Sequence, residues 1–283
     1  MKYYILYNPL AGHGETRKNI DELKSHLDGE CVEYNVTEIT DYPGIVSSLQ
    51  PEDKLVISGG DGTLNNFINS VDTDNITNEV LYYASGSGND FLHDVNPDYD
   101  GKPFIINQYL KNLPTVTVKG KTYRFINGIG YGIDGWCCEI GDQLKAKGKA
   151  VNYTSIAIKG LIYAYKPRNA KVTVDGKEYS FKKVWIAPTM NGRFYGGGMM
   201  PTPDQERLGD GRVTFMTFYG SGKLKTLSIF PSLFKGEHVK HTECITSVKG
   251  ENITVKFDTP CALQIDGETV LDVTEYSVKA CLK

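Results

Sequence analysis

Residues 54–63 read KLVISGGDGT, an apolar run that ends in three glycines around one aspartate. Residues 54–58 have the length and composition of a buried strand, and residues 64–71 carry apolar side chains at helical spacing. A strand, a glycine turn and a helix in this order are typical of a parallel α/β sheet. Glycine turns let backbone amides approach a phosphate, but the Asp61 carboxylate would repel one unless a cation or a transferable proton intervened. The stretch therefore favours phosphoryl transfer with Mg²⁺, and an ordinary type I turn is the alternative.

Two more strand-like runs end in similar turns. Residues 2–7 lead into NPLAGHG at 8–14, ahead of a helix whose N-terminus could accept a phosphate, and residues 80–84 lead into SGSGND at 85–90. Because the carboxyl ends of parallel strands meet at one edge of a sheet, the three loops together predict a ligand crevice there. Taken alone, the 8–14 loop is more typical of an ordinary strand-to-helix connection.

Composition indicates a globular chain of about two domains. The 283 residues are 40% hydrophobic and 23% charged, with ordinary glycine and proline content, which excludes the disordered, collagen-like and coiled-coil classes. The first apolar run is too short for a signal peptide, and no run approaches the roughly 18 residues of a membrane span. Six cysteines without a CxxC pair or zinc-finger spacing favour reduced thiols in a cytoplasmic protein.

The pattern of strand-like and helix-like segments changes near residue 115. Residues 1–115 alternate strand and helix patterns, whereas 116–283 are mainly alternating β-type runs with two or three helices, which predicts a second, β-rich domain. Its final strand is a candidate to return to the first domain. The first 115 residues carry 7 Lys/Arg against 18 Asp/Glu, and the rest carry 24 against 16, so the halves differ strongly in charge.

Three features of the second half are open to two interpretations each. The loop 201–212, with Asp204, Glu206 and Asp210, suits either a hard cation or a solvated turn. QIDGE at 264–268 is either a carboxylate pair for chemistry or an Asp-Gly hairpin turn. Residues 124–193 carry 12 Lys/Arg against 5 Asp/Glu. This surplus, which includes Lys145, Lys147 and Lys149, is either a solvated helix face or a surface that docks on anionic membrane.

Other motif matches are weak. No Walker-type GxxxxGK[ST] motif occurs, and the GxGxxG match at 130–135 lies in the β-rich half without a βαβ context. His238 and His241 are more typical of a solvated face than of a metal pair.

Together the motifs resemble the diacylglycerol kinase catalytic family of soluble bacterial lipid kinases, which is related to sphingosine and ceramide kinases. The resemblance covers nearly the whole chain and is carried by NPLAG (8–12), GGDGTLN (59–65), SGSGNDF (85–91), NGIGYGIDG (127–135), the DG at Asp210 and QIDGE (264–268). GGDGT is shared with NAD kinases and phosphofructokinases, but SGSGNDF and QIDGE favour a lipid kinase. The resemblance implies a Rossmann-like nucleotide-binding α/β domain with a parallel sheet, a C-terminal β-sandwich domain and an active-site cleft between them.

The resemblance also implies site residues. ATP would be held by the first two glycine loops, by a threonine after the second strand and by a hydroxyl in the third loop. These positions are Asn8, Leu10, Ala11, Gly12, His13, Gly14, Thr37, Gly59, Gly60, Gly62, Thr63, Leu64, Asn65, Asn66 and Ser87. Thr40 is an alternative to Thr37.

A metal site and a proton acceptor are implied in the same way. A structural Mg²⁺ would be held by the Asp210 carboxylate and by backbone oxygens of Arg207 and Arg212. The acceptor's proton would pass to Glu268, with Asp266 beside it and Asp61 as a rival. Asp90 matches a carboxylate that links the domains in this family.

The chain departs from the family pattern at two places. Asn66 stands where members commonly have glutamate, and residues 101–133 contain no Asp or Glu where an aspartate usually joins the metal network. The predicted function is an ATP-dependent lipid kinase with diacylglycerol as the default acceptor, cytoplasmic and transiently at the inner membrane face, with no nucleic-acid partner. The alternatives are an NAD kinase and a catalytically weak lipid- or nucleotide-sensing protein.

Overall fold

The computed structural model describes residues 1–11, 16–86 and 88–282. The chain divides into two compact units, residues 1–113 and 114–283. Within the described residues, no helix is both long and apolar enough to cross a membrane. Four residues with predicted nucleotide contacts lie outside the described residues, namely Gly12, His13, Gly14 and Ser87.

The first unit is built on a sheet in the order β2-β1-β3-β4-β5. Its strands are β1 (Lys2–Tyr7), β2 (Glu30–Asn35), β3 (Lys54–Gly59), β4 (Val80–Ala84) and β5 (Phe104–Ile105). The first four are parallel to their neighbours, and β5 is an antiparallel edge strand. The central strand β3 is buried from Leu55 to Gly59, as expected for a parallel strand covered on both faces. The predicted parallel α/β fold of this half is confirmed.

The register of this sheet places the predicted loops at one edge. Tyr7 pairs with both Asn35 and Ser58, and Ser58 pairs with Tyr83, so four strands end in one row. The helices that follow these strands are α1 (Thr16–Ser25), α2 (Tyr42–Ser47), α3 (Asp61–Ser70) and α4 (Asp90–Val95), and α5 (Asn107–Leu110) follows β5. The turns after β1, β3 and β4 therefore leave from neighbouring points.

The second unit contains an antiparallel sheet with ten strands among the described residues. They are β6 (Thr115–Val118), β7 (Lys121–Arg124), β8 (Gly128–Tyr131), β9 (Arg168–Val174), β10 (Lys177–Val184), β11 (Thr189–Met190), β12 (Val213–Phe218), β13 (Ile245–Gly250), β14 (Asn252–Ile265) and β15 (Glu268–Lys279). The long strand β14 pairs with β9 near its start and with β8 at its end, so it joins two parts of the sheet. The last strand, β15, pairs with β14 and β6, both in this unit. The predicted β-rich fold of this half is confirmed.

Of the α-helices of the second unit, the first packs on this sheet, the second contacts the first, and the third contacts the turn that follows the second. They are α6 (Ile133–Ala146), α7 (Tyr153–Lys159) and α8 (Lys223–Ile229), and a π-helical turn (Gly160–Ala164) follows α7 directly. The buried core includes Tyr131, whose ring stacks on Phe257 with centroids 3.9 Å apart. The helical segment 153–164 is thus divided into an α-helix and a wider π turn.

Candidate functional site

Two of the glycine loops touch backbone to backbone. A Cβ added to Gly86 would lie 2.5 Å from the Cα of Gly60, closer than real side-chain atoms approach. The Ser85 N–H donates to the Gly59 carbonyl at 3.0 Å, and the Tyr82 hydroxyl donates to the same oxygen at 3.2 Å. Glycine is therefore required where the loops after β3 and β4 meet, because any side chain would push them apart.

Asp61 ties the same two loops together through its carboxylate. Its two oxygens accept the backbone N–H groups of Asp90, at 2.8 Å, and Phe91, at 2.9 Å. These amides belong to the first turn of α4, where a negative charge is favourable. Asp61, a candidate catalytic base from its sequence motif, thus has a positioning role in the structure.

Asn8 connects the first loop to the second. Its backbone N–H donates to the Ser58 carbonyl at 3.1 Å, and its side-chain amide donates to the Thr63 hydroxyl at 3.1 Å. Its side-chain oxygen accepts the N–H of Leu10 at 2.9 Å. The structure therefore brings together Asn8, Gly60 and Thr63 from two of the motifs predicted to hold phosphate, and Gly86 from the third.

One buried acceptor in this region has no partner within the described residues. The side-chain oxygen of Asn89 is buried and makes no hydrogen bond, while its amide nitrogen donates to the Gly86 carbonyl at 2.8 Å. Buried polar atoms are rarely left unpaired, so such an atom suits a ligand hydroxyl, amino group or cation. The close backbone contact between Gly60 and Gly86 lies beside this atom.

The other predicted nucleotide contacts lie further out. Thr37 follows β2 and is exposed, and its N–H and hydroxyl both donate to the Asn35 side chain, at 3.0 and 2.8 Å. Thr40 is also exposed. Asn66 donates to the Tyr42 hydroxyl at 3.0 Å, so the position where the family commonly has glutamate joins α3 to α2.

In the second unit, Asp266 accepts hydrogen bonds from backbone amides. Its carboxylate accepts the N–H groups of Ile126, Asn127 and Gly128 at 2.6, 2.8 and 2.9 Å. Asp266 and Gly267 both have positive φ and form the two-residue turn between β14 and β15. The hairpin interpretation of QIDGE therefore describes its backbone, and the buried Asp266 carboxylate fixes a distant loop.

Glu268 differs from the other two candidate bases. It is the first residue of β15 and is exposed, and its side-chain carboxylate makes no hydrogen bond or ion pair with any other described residue. A carboxylate without partners can approach a substrate hydroxyl and accept its proton without breaking an existing contact.

The acidic loop does not fit the implied Mg²⁺ site. Asp210 accepts the Arg212 backbone N–H at 3.0 Å and pairs with the Arg212 guanidinium at 2.7 Å, and the Lys249 ammonium lies 3.5 Å away. The hydrogen bond from the Arg212 backbone holds the pKa of Asp210 below its usual value. Among the described residues, no group of three or more His, Cys, Asp or Glu is placed to hold a metal. The Arg212 and Lys249 side chains both lie at the Asp210 carboxylate and would compete with a dication for it.

We therefore expect the melting temperature of the nucleotide-free protein to be insensitive to Mg²⁺. Asp210→Asn should leave the free energy of unfolding nearly unchanged, because the Arg212 pair is largely exposed to solvent. Differential scanning calorimetry of both proteins with MgCl₂, and with NaCl at matched ionic strength as the control, measures this. A Mg²⁺-dependent rise in the parent that Asp210→Asn lacks would restore the metal site.

Arg207 joins the acidic loop to the segment held by Asp266. Its guanidinium donates to the Ile126 carbonyl and, at 2.8 Å, to the Asn127 side-chain oxygen. The sequence motifs had implied only a backbone role for Arg207. NGIG, the acidic loop and QIDGE, three separate motifs in the sequence, therefore meet at residues 126–128.

Sequence reasoning missed Asp134. This residue at the start of α6 is buried; one carboxylate oxygen accepts the Tyr195 hydroxyl at 3.0 Å, and the other has no partner within the described residues. Burial raises the pKa of Asp134 to about 6. A Cβ on Gly130 would lie 2.0 Å from this carboxylate, so glycine at this position makes room for Asp134. Gly130 belongs to the GxGxxG match, which was the signal in the sequence that pointed to this region.

Asp134→Asn should alter the pH dependence of stability. Because the raised pKa means that the folded protein binds this proton more tightly than the unfolded chain, Asp134 lowers stability as pH rises from about 4 to about 6. Relative to the parent, Asp134→Asn should gain up to about 3 kcal/mol across that range and keep the gain at higher pH. Urea unfolding at several pH values measures the difference, with the exposed Asp204→Asn as control. Parallel curves for parent and Asp134→Asn would contradict the prediction.

The fold and these loops define a two-domain protein of the nucleotide-dependent kinase class. A family model of the diacylglycerol kinase catalytic domain matches residues 2–116. A second model, described as the YegS C-terminal NAD kinase beta sandwich-like domain, matches residues 127–278. The chain belongs to the diacylglycerol kinase catalytic family of lipid kinases, which confirms the family inferred from its motifs.

Similar proteins align over most of their length. "Putative lipid kinase YtlR" of Bacillus subtilis is 23% identical, with 94% of this chain and 93% of that protein covered. "Diacylglycerol kinase" of Mycobacterium tuberculosis is 24% identical, with 87% and 82% covered. The crystal structure of a diacylglycerol kinase from Bacillus anthracis superposes with a TM-score of 0.67 at 19% identity, covering 99% of this chain and 94% of that chain. The structural likeness shows a shared fold.

Proposed function

We propose that this protein is an ATP-dependent lipid kinase that phosphorylates diacylglycerol to phosphatidic acid at a membrane surface. The kinase family implies ATP as the phosphoryl donor. The observation that carries the proposal is the contact between the Gly60 and Gly86 loops. It brings the glycine backbones of two loops together with no side chain between them, and such backbone can approach a nucleotide phosphate closely. The Asn89 side-chain oxygen, which has no partner among the described residues, would accept a hydrogen bond from a hydroxyl or amino group of the nucleotide.

In this proposal the chain supplies positioning and one proton acceptor. Asn8, Gly60 and Thr63 hold the phosphates, and Asp61 keeps the third loop in place beside them. The Glu268 carboxylate accepts the proton of the lipid hydroxyl as its oxygen bonds to the γ-phosphorus. The bond from that phosphorus to the bridging oxygen breaks, and ADP leaves. No step is assigned to a metal at Asp210.

Transfer of labelled γ-phosphate from ATP tests the proposal directly. The purified protein is offered dispersed diacylglycerol, a total lipid extract and NAD in parallel reactions, and the products are identified by chromatography. Labelled phosphatidic acid supports the proposal, and labelled NADP would establish an NAD kinase instead. ATP binding with no transfer to any acceptor would favour a sensing protein.

If diacylglycerol is the acceptor, the protein must act at the surface of a membrane. Because such a lipid stays in the bilayer, we infer that the protein contacts the membrane peripherally. The basic segment 124–193 was the sequence-based candidate for that contact.

A further inference from the structure

Large apolar side chains are exposed together on α7 and the π-helical turn that follows it. Tyr163 is 64% exposed, and Ile158 and Ile162 are each nearly half exposed. Ile156 and Leu161, on the same segment, are buried in the core. The segment thus has one face packed on the domain and a second apolar face in solvent, which a helix that only covers a core does not need.

The first turn of α8 extends this apolar face. The Lys223 ammonium donates to the Ile162 carbonyl at 2.8 Å, so α8 begins against the π-helical turn. The next residue, Leu224, is 85% exposed. We call the surface formed by Tyr153–Tyr163 and Lys223–Leu224 the apolar-basic face.

The two sequence segments that carry this face contain no carboxylate of their own, and the carboxylates of Asp142 and Glu243, from outside them, pair with Lys145 and Lys225. Residues 143–174 and 211–236 include no Asp or Glu, although the chain has 34 in 283 residues and 58 residues at that frequency would hold about seven. The same segments contain 11 Lys/Arg. Among them, Lys147, Lys149, Lys159, Lys166 and Lys235 make no ion pair with any described residue.

The surplus of lysines on the apolar-basic face favours an anionic partner over a second copy of the chain. We propose that the apolar-basic face docks the protein on a bilayer containing anionic lipids, with Ile158, Ile162 and Tyr163 entering the headgroup region. Unpaired lysines beside exposed aliphatic and tyrosine side chains are the combination that binds such an interface. A second copy of the chain fits poorly, since a two-fold contact would place the same cations opposite one another. The proposal rests on the proposed lipid kinase function for its purpose, and it locates the membrane contact.

The proposed contact lies within the basic segment 124–193 that the sequence favoured, and it is centred on α7 and the π-helical turn. Lys145, one of the three lysines predicted to dock, pairs with Asp142 at 3.4 Å and lies over the Tyr153 ring. Lys159 and Lys166 bracket the exposed π-helical turn and make no such pair. The docking cations are therefore expected at Lys159 and Lys166 more than at Lys145.

Vesicle sedimentation of the whole chain tests the docking without ATP. The parent should sediment with vesicles of phosphatidylglycerol and phosphatidylcholine, weakly with phosphatidylcholine alone, and less as salt rises. Ile162→Glu combined with Tyr163→Glu should weaken binding at least about tenfold, because the variant places two anions in the face. Lys159→Glu combined with Lys166→Glu should weaken it similarly and flatten the salt dependence. Ile105→Glu, at an equally exposed isoleucine on β5, is the matched control and should bind as the parent does.

Activity assays separate this proposal from the kinase proposal. The docking variants should keep turnover on a short-chain diacylglycerol dispersed in water and lose it on vesicles. If no lipid is phosphorylated but vesicle binding depends on these residues, the kinase proposal fails and the docking proposal stands. Equal vesicle binding by parent and variants overturns the docking proposal whatever the activity. Self-association of the parent that Ile162→Glu with Tyr163→Glu abolishes, without vesicle binding, also overturns it.

Discussion

Replacing Glu268 with glutamine should lower the turnover number for phosphoryl transfer by roughly 10² to 10⁴ and leave the affinity for ATP near that of the parent. The exposed Glu268 carboxylate has no partner among the described residues, so the change removes a proton acceptor without disturbing the hairpin. Steady-state kinetics at saturating ATP give the turnover number. Equilibrium titration with a non-hydrolysable ATP analogue gives the affinity.

Two comparisons make the Glu268 result specific. Glu178→Gln changes another exposed, unpaired glutamate, on β10, and should leave turnover unaltered. Asp266→Asn should lower the melting temperature as well as activity, because it disrupts the three-amide contact with residues 126–128. Wild-type turnover in Glu268→Gln would remove Glu268 as the base.

Asp61→Asn should abolish measurable transfer, weaken ATP binding and lower the free energy of unfolding by about 1–3 kcal/mol. An asparagine side chain has one acceptor oxygen and one NH₂ group, so one of the two α4 amides would face a donor. The loop after β4 would then shift, and displacements of about 1 Å can cost 10² in rate. Thermal unfolding, ATP titration and the transfer assay on one preparation measure all three effects.

The pattern of effects identifies the role of Asp61. A positioning residue alters stability, ATP affinity and turnover together, whereas a base alters turnover alone. Asp98→Asn, at an exposed aspartate after α4, is the control and should match the parent in each assay. Loss of turnover with unchanged melting temperature and ATP affinity would return Asp61 to the role of base.

The loops of the site were predictable, but the partners of its carboxylates were not. Strand, glycine turn and helix follow from local periodicity, so the edge where residues 8, 60 and 86 gather could be inferred from the sequence. Asp61 and Asp266 bind backbone amides about 30 and 140 residues away, and amides have no side chain to reveal them. These two aspartates were therefore predicted from the sequence as candidate catalytic bases.

Two local signals were visible in the sequence and could have been used. Arg212 follows Asp210 by two residues, which is close enough to pair with it and to compete with a cation. Gly130 precedes Asp134 by four residues, and the missing side chain of this glycine leaves room for the buried Asp134 carboxylate. The π-helical turn after α7 had no such signal, because its apolar residues are spaced as in an ordinary helix.

The backbone contact between Gly60 and Gly86 means that phosphate binding and nucleotide preference can be engineered independently. In the proposed function, phosphate is bound by main-chain atoms, which are the same for every sequence that keeps these glycines. Exposed side chains of the glycine loops, such as Leu10 with 82% of its surface exposed, can vary without changing the packing of the core. Libraries that randomise the exposed side chains and preserve both glycines should therefore yield proteins with altered nucleotide preference, whereas libraries that vary either glycine should yield mostly proteins whose loops after β3 and β4 are displaced.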